Sequence, residues 1–350
     1  LVRFELPDGF APQLIQLLHK PDKNSLEFKA LEQACQQTQL SPLRLLERCG
    51  AVPHAHDYHF QTFLLEYFPK GTAFGELELP AVPTDLPQAE VEAFSLDDSS
   101  TTEIDDALSV QPLADGGWRV GVHIAAPALA ILPGSKLDQL VLQRLSTVYF
   151  PGNKITMLPE DVVECFTLQE GRSCPALSMY IDLNAALEVQ STESRIEAVR
   201  IAANLRNEIL ERNFNDEALA SNSDGEYPFK SELRLLFDFA RKLEAGRGKA
   251  DPNRPPQVDY SFQVENDRVI IGKRKRGAPI DKLVSELMIF VNCAWGGLLA
   301  ERNVPGIYRA QSMGRVRMTT SPAPHQGLGV PQYAWSRSPL RRAVDLLNQR

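Results

Sequence analysis

The chain has 350 residues, 43% hydrophobic and 23% charged, with a net charge of −8. That composition excludes a disordered, collagen-like or disulfide-framework protein and leaves a globular chain long enough for two or three domains. The charge is unevenly spread: residues 241–350 carry 19 Lys/Arg against 9 Asp/Glu, whereas residues 1–240 carry 18 against 36. A basic C-terminal half points to an anionic partner. The five cysteines, Cys35, Cys49, Cys165, Cys174 and Cys293, are scattered without metal-ligand spacing, which fits reduced thiols in the cytoplasm. Nothing at the N-terminus resembles a signal peptide, although the chain begins at Leu1 without an initiator Met, which leaves a lost leader open.

Residues 1–68 read as a small helical domain of helix-turn-helix or winged-helix type. Asn24 before Ser25-Leu26-Glu27 gives the cap and N3 acid of a capping box, and the helix then carries Phe28, Leu31, Ala34 and Cys35 on one face. Ser41-Pro42 supplies the cap and N1 proline of a second helix that stops at Gly50. The acidity of this domain argues against strong phosphate binding. His54, His56 and His59 lack both the spacing and the flanking cysteines of a zinc module.

Residues 69–90, rich in proline, read as a short strand and linker. Beyond them the pattern is α+β. Val120, Val122 and Ile124 alternate as a strand and Ala176–Asp182 is another, while helices are expected at Arg195–Arg212, Lys230–Glu244 and Asp281–Arg302. The apolar run Leu283–Ala300 contains Glu286, Asn292 and two glycines, and suits a buried helix better than a membrane span. The tetrad Lys273-Arg274-Lys275-Arg276 is either a solvated turn or part of an anion-binding surface.

The chemistry concentrates between Ser95 and Leu108. Asp97, Asp98, Glu103, Asp105 and Asp106 place five carboxylates within ten residues, interleaved with serine and threonine and flanked by apolar residues. Converging carboxylates repel and take up protons unless a cation holds them. Hard oxygen ligands select magnesium, with manganese as the alternative. A calcium EF-hand fails, because a loop starting at Asp97 puts Thr102 at the glycine position and Leu108 at the bidentate glutamate. Two such ions about 4 Å apart would clamp the attacking water and leaving oxygen of a phosphodiester.

The run Leu96-Asp97-Asp98 to Glu103-Ile104-Asp105-Asp106-Ala107-Leu108 resembles the signature of the RNase II/RNase R family, whose catalytic module is the RNB domain. Further elements follow in the family's order: Gly134-Ser135-Lys136-Leu137-Asp138, Tyr149-Phe150-Pro151-Gly152, Met157-Leu158-Pro159, Leu283 to Met288, Pro324-His325-Gln326-Gly327-Leu328-Gly329 and Ser338-Pro339-Leu340-Arg341-Arg342. The resemblance covers residues 91–350 and implies an RNB catalytic domain with a mixed sheet and surrounding helices. It further implies 3′→5′ hydrolysis of single-stranded RNA to nucleoside 5′-monophosphates. By the same resemblance Asp97, Glu103, Asp105 and Asp106 hold Mg2+, Asp105 being the most critical. Arg341 neutralises the scissile phosphate, with Arg342 beside it on the RNA. Tyr149 packs on the 3′-terminal nucleotide, and Glu286 lies near the terminal sugar.

Several positions depart from the family pattern. Glu103 stands where aspartate is usual, Ala126 where the strand usually ends His-Ile-Ala-Asp-Pro, and Ala343 where a tyrosine follows the arginine pair. Arg206 occupies the place of a sugar-contacting tyrosine, and Ala250-Asp251-Pro252 the stretch of a second base-clamping aromatic. Members usually begin with cold-shock-type OB folds and end with another OB fold. Here a helical unit leads, as in the cyanobacterial, plant-organelle and related bacterial branch, and no C-terminal OB-fold domain is read within these 350 residues: either the sequence is a fragment or that domain is missing. The expectation is a cytoplasmic monomer with RNA as partner and no membrane; the alternative is a catalytically impaired RNA-binding member.

Overall fold

The computed structural model describes residues 1–52, 55–221, 225–251, 258–265, 268–275 and 277–350. It divides into two compact units, one built on Leu1–Gly75 with Phe150–Asn153 and Phe262–Ile270, the other on the rest.

Residues 1–75 contain helices only, among those described: a 3-10 turn (Ala11–Gln13) and the α-helices α1 (Leu14–His19), α2 (Leu26–Thr38), α3 (Pro42–Arg48) and α4 (Ala55–Tyr67). Leu17, Leu31, Ala34, Leu45 and Leu46 form their core, with Phe28 and Cys35 packed against it. The cap of α2 is Ser25, not Asn24: the Ser25 hydroxyl accepts from the Phe28 N–H at 3.2 Å. Glu27 therefore falls at N2, where it faces the helix dipole without closing a capping box. Ser41 caps α3 with Pro42 at N1, as the sequence indicates. His56 and His59 lie on α4, and His54 lies outside the described residues.

No strand forms between residues 69 and 90; Gln88 makes a single bridge to Ala198. Pro80, Pro83 and Pro87 remove the backbone donors that a ladder there would need.

The second unit is α+β and centres on a closed five-stranded barrel: β1 (Ala93–Asp97), β2 (Asp106–Pro112), β3 (Trp118–Ala125), β6 (Ser173–Leu183) and β7 (Val189–Arg206). A short ribbon of β10 (Tyr308–Ser312) with β11 (Arg315–Thr319) belongs to this unit, whereas the ribbons β4 (Val148–Phe150) with β5 (Asn153–Ile155) and β8 (Val258–Glu265) with β9 (Arg268–Lys275) have residues in both units. The helices are α5 (Lys136–Arg144), α6 (Glu160–Phe166), α7 (Asn207–Leu210), α8 (Asp216–Ser221), α9 (Lys230–Gly246), α10 (Pro279–Glu301) and α11 (Ala343–Gln349).

Residues 195–206 correct the sequence reading: they are strand, and only α7 is helical in the expected Arg195–Arg212 segment. The first part of β7 pairs antiparallel with β6 up to Arg200, and its last six residues pair parallel with β1. One long strand thus closes the barrel, and neighbours on both sides override a local apolar pattern that also suits a helix.

Successive strand residues point to opposite faces. Phe94, Leu108, Val120, Val122, Ile124 and Ile181 pack against α9 and α10 through Leu236, Phe239, Leu283, Leu287 and Val291. Helix α10 is long and apolar enough to cross a bilayer, yet that stripe is buried against the barrel and α9, as the reading of Leu283–Ala300 anticipated. On the other face Ala93, Ala107, Ala125 and Ala176 let α5 and α6 approach, with Leu137, Val141, Val162 and Phe166 filling the layer. That face also buries His123, which is 0% exposed between the hydroxyls of Ser109 (2.9 Å) and Ser178 (2.8 Å). Burial pushes its pKa down to about 3.

Candidate active site

Strand β1 ends at Asp97, opposite Arg206, and β2 begins at Asp106, opposite Ile124. The intervening loop is fastened at both ends. Arg206 donates to the Asp98 carbonyl at 3.0 Å, Asn207 to the Asp98 carboxylate at 3.0 Å, and Ser99 to Glu208 at 2.9 Å. On the far side the Ile104 N–H donates to the Thr167 hydroxyl (2.9 Å), and the Leu168 N–H to the Ile104 carbonyl (3.0 Å). Asp98 is thereby held as an exposed loop anchor, whereas Glu103 and Asp105 are buried and Asp97 and Asp106 half-buried.

Those four do not stand alike. Asp105, 0% exposed, accepts from the Leu340 N–H at 2.8 Å and from Arg341 Nε at 2.6 Å. Glu103, 2% exposed, receives the Lys154 ammonium at 2.7 Å on Oε2, while its Oε1 has no partner among the described residues. Asp97 takes a hydrogen bond from Ser95 and keeps Oδ2 buried and unpartnered. Asp106 makes no ion pair within 4 Å among the described residues. Burial, and next the Asp97 carboxylate, push its pKa up to about 6. Burial likewise raises Asp105 to about 6 despite the neighbouring guanidinium, and burial raises Asp97. For Arg341, burial disfavours the charge, but Asp105 and Tyr149 outweigh it and hold the pKa above its ordinary value. The direction that governs this pair is the ionic one, because the Arg341–Asp105 contact is short and charge-assisted.

Arg341 reaches Asp105 because the Ser338–Arg342 turn is locked. Leu340 is buried among Ala107, Val141 and Leu346, the Thr147 N–H donates to the Arg341 carbonyl (2.9 Å), and the Ala343 N–H donates to the Leu145 carbonyl (2.8 Å). That pairing leads directly into Tyr149, whose hydroxyl hydrogen-bonds the Arg341 guanidinium. Tyr149 is 58% exposed, a ring held by one polar contact and open to a ligand.

Residues 87–316 match the model of the RNB domain. The chain belongs to the RNB domain family. An uncharacterized ribonuclease of Synechocystis sp. is 27% identical over 284 residues, spanning 73% of this chain but only 41% of that relative. In fold, the chain is similar to an active-site mutant of the Dss1 exoribonuclease of Candida glabrata, with TM-score 0.78 at 18% identity, covering 98% of this chain and 54% of that one. It is also similar to yeast Ssd1, a pseudonuclease, with TM-score 0.68 at 17% identity, covering 85% and 45%.

The structure brings Asp97, Glu103, Asp105, Asp106 and Tyr149 of the matched residues into one neighbourhood with Arg341, which follows them in the chain. It engages Arg342 differently: that side chain pairs with buried Asp345 at 2.7 Å and lies over the Trp335 ring at 4.6 Å. Glu286 is buried and bound by Arg247, which also donates to the Leu328 carbonyl; neither partner belongs to the acidic turn. Of the basic tetrad, Lys273 is exposed, and Arg276 lies outside the described residues. Asp251 is described and Pro252 is not. Sequence reading missed Lys154, the Leu340 N–H and Arg337, whose charge lowers the pKa of Asp106. The only available signal was their position inside or beside the Tyr149 and Arg341 motifs.

Among the described residues no three Asp, Glu, His or Cys side chains are grouped closely enough to hold an ion. Asp97 and Asp106 nevertheless fit a magnesium ion: they repel each other, and one buried oxygen lacks any donor. Magnesium commonly takes one or two protein carboxylates and completes its octahedron with water and substrate phosphate.

Proposed function

We propose that this RNB domain is a 3′→5′ exoribonuclease that hydrolyses single-stranded RNA to nucleoside 5′-monophosphates. The observation that carries this reading is the Arg341–Asp105 pair beside two carboxylates, Asp97 and Asp106, that have no ion-pair contact among the described residues, on an RNB fold. A bound magnesium ion, held by Asp97 and Asp106, would supply Lewis-acid stabilisation and an activated water. Asp105 holds Arg341 by Nε alone, so that the rest of the planar guanidinium can face a phosphate. Tyr149 offers its exposed ring to the terminal base, a sequence-tolerant contact. Glu286 and Arg342 act here as packing ions rather than as RNA ligands, in keeping with their engagement by Arg247 and Asp345.

The test is incubation with 5′-labelled single-stranded RNA and Mg2+. A ladder shortening from the 3′ end, abolished in Asp106→Asn, supports the enzyme. A second reading, an RNA-binding member without activity, draws on the Lys154 ammonium seated on Glu103 and on the likeness to a pseudonuclease. It predicts retention of intact RNA in the same assay.

A further inference from the structure

The Glu103–Lys154 pair carries a consequence for the number of metal ions. This inference rests on the reading of Asp97 and Asp106 as cation ligands. Of the turn's carboxylates Glu103 and Asp105 are buried, and Asp97 and Asp106 are half-buried. Arg341 covers Asp105 at 2.6 Å and Lys154 covers Glu103 at 2.7 Å, while Asp97 and Asp106 have no ion-pair partner among the described residues. Arg341 and Arg206 act on Asp97, and Arg337 and Arg341 on Asp106, without an ion-pair contact among the described residues; Arg341 is paired with Asp105, and Arg206 is occupied with the Asp98 and Thr101 carbonyls. Two negative charges remain, which a single divalent ion neutralises.

Lys154 is fixed rather than loosely placed. Its ammonium is shared between Glu103 Oε2 and the Thr102 hydroxyl, both at 2.7 Å, and Thr102 itself contacts Glu103 at 3.3 Å. Glu103 is almost fully buried and its second oxygen has no partner among the described residues. The ammonium and the guanidinium both act electrostatically on the Tyr149 hydroxyl, so they flank the place proposed for the terminal nucleotide. A fixed ammonium beside a buried carboxylate does the electrostatic work of a cation at that spot and repels a second one.

We infer that Lys154 is a positioning residue that holds Glu103 in place of a metal ion, so that the site takes up one divalent cation, at Asp97 and Asp106, and not two. Lysine and glutamate then form a unit: a glutamate at this position reaches an ammonium contributed by β5, which serves as a built-in counter-charge.

The experiment counts Mn2+ ions bound per folded chain, by calorimetry and by the loss of the free-ion paramagnetic resonance signal. Wild type is expected to bind one ion, Lys154→Arg one, Lys154→Met two, and the double variant Lys154→Met/Glu103→Gln one again. Two ions on wild type, or a single ion on folded Lys154→Met, overturns the inference while leaving the assignment of Asp97 and Asp106 intact. The wild-type count needs no variant to fold. Absence of binding to wild type, or binding unaltered in Asp106→Asn, overturns the metal assignment and the inference together.

Discussion

Asp106→Asn should make the metal-free protein more stable while removing cation binding. Asp106 is partly buried, faces Asp97, and has its pKa pushed from 3.8 to about 6, first by burial and then by Asp97. At 1.36 kcal/mol per pKa unit that rise corresponds to about 3 kcal/mol of penalty for the ionised form, which partial solvent contact lowers to about 1–3 kcal/mol. Because the folded-state pKa lies above the unfolded value, the folded state binds the proton more tightly. Stability therefore falls as pH rises from about 4 through about 6, and the penalty is fully present above that. Asparagine carries no charge and escapes it. Thermal melts in a chelator at pH 8 should place the variant above wild type, at roughly 1–2 °C per kcal/mol for a chain of this length. At pH 4 the two curves should coincide, and Mn2+ at pH 8 should raise wild type only. A variant that melts no higher than wild type at pH 8, or a gap of equal size at pH 4, would refute the claim that Asp97 and Asp106 stand without an ion pair.

Four further outcomes follow from the same geometry. Tyr149→Ala should leave the melting temperature within error, since the ring is mostly exposed. It should weaken single-stranded RNA binding by about 5- to 150-fold, the equivalent of one lost base stack of 1–3 kcal/mol. Arg341→Lys keeps a charge but loses the planar group, and steady-state assays should show kcat reduced by about 10²- to 10³-fold. Glu286→Gln leaves Arg247 without its charged partner; stability in urea should fall by about 3 kcal/mol, with kcat per folded molecule unchanged, whereas a loss confined to kcat would place Glu286 at the RNA. His123 has its pKa depressed to about 3 by burial, so the unfolded state binds its proton first. Its contribution should be intact above about pH 6.5 and lost progressively as pH falls towards 3, and His123→Gln should flatten that part of the urea-stability profile.

Much of the site was legible because it is local. Asp97, Glu103, Asp105 and Asp106 fall on one β-turn-β crossing, and Tyr149 and Arg341 lie in short motifs of fixed order. The strand β3 and the helices α9 and α10 could be read from apolar period alone. Residues 195–206 could not, because the same spacing of Ile196, Val199 and Ile201 serves a helix or a strand, and barrel closure by β6 and β1 made the choice. The state of each carboxylate was equally hidden. Whether Glu103 meets a metal or an ammonium depends on Lys154, 51 residues away along the chain, and no local pattern encodes that distance. Glu286 and Arg342 show another thing a motif does not encode: in this structure their charges are engaged by Arg247 and Asp345.

The uneven charge of the chain acquires a physical meaning at this site. The acidic turn belongs to the first 240 residues, which carry twice as many acids as bases, and Arg341 belongs to the basic remainder. Folding joins them across 236 residues at 2.6 Å. The turn alone would be a set of mutually repelling carboxylates that protonate near neutral pH. The arginine alone would be one more surface cation. Through Asp105 the two halves meet in an ion pair, and buried Leu340, whose N–H reaches the same carboxylate at 2.8 Å, fixes the distance. Loss of Leu340 packing should therefore injure activity before it unfolds the chain. Leu340→Ala, which removes buried apolar volume at a cost of about 2–5 kcal/mol, should reduce kcat at temperatures well below its own melting point. A variant that keeps full kcat until it melts would show that Arg341 finds Asp105 without the Leu340 anchor.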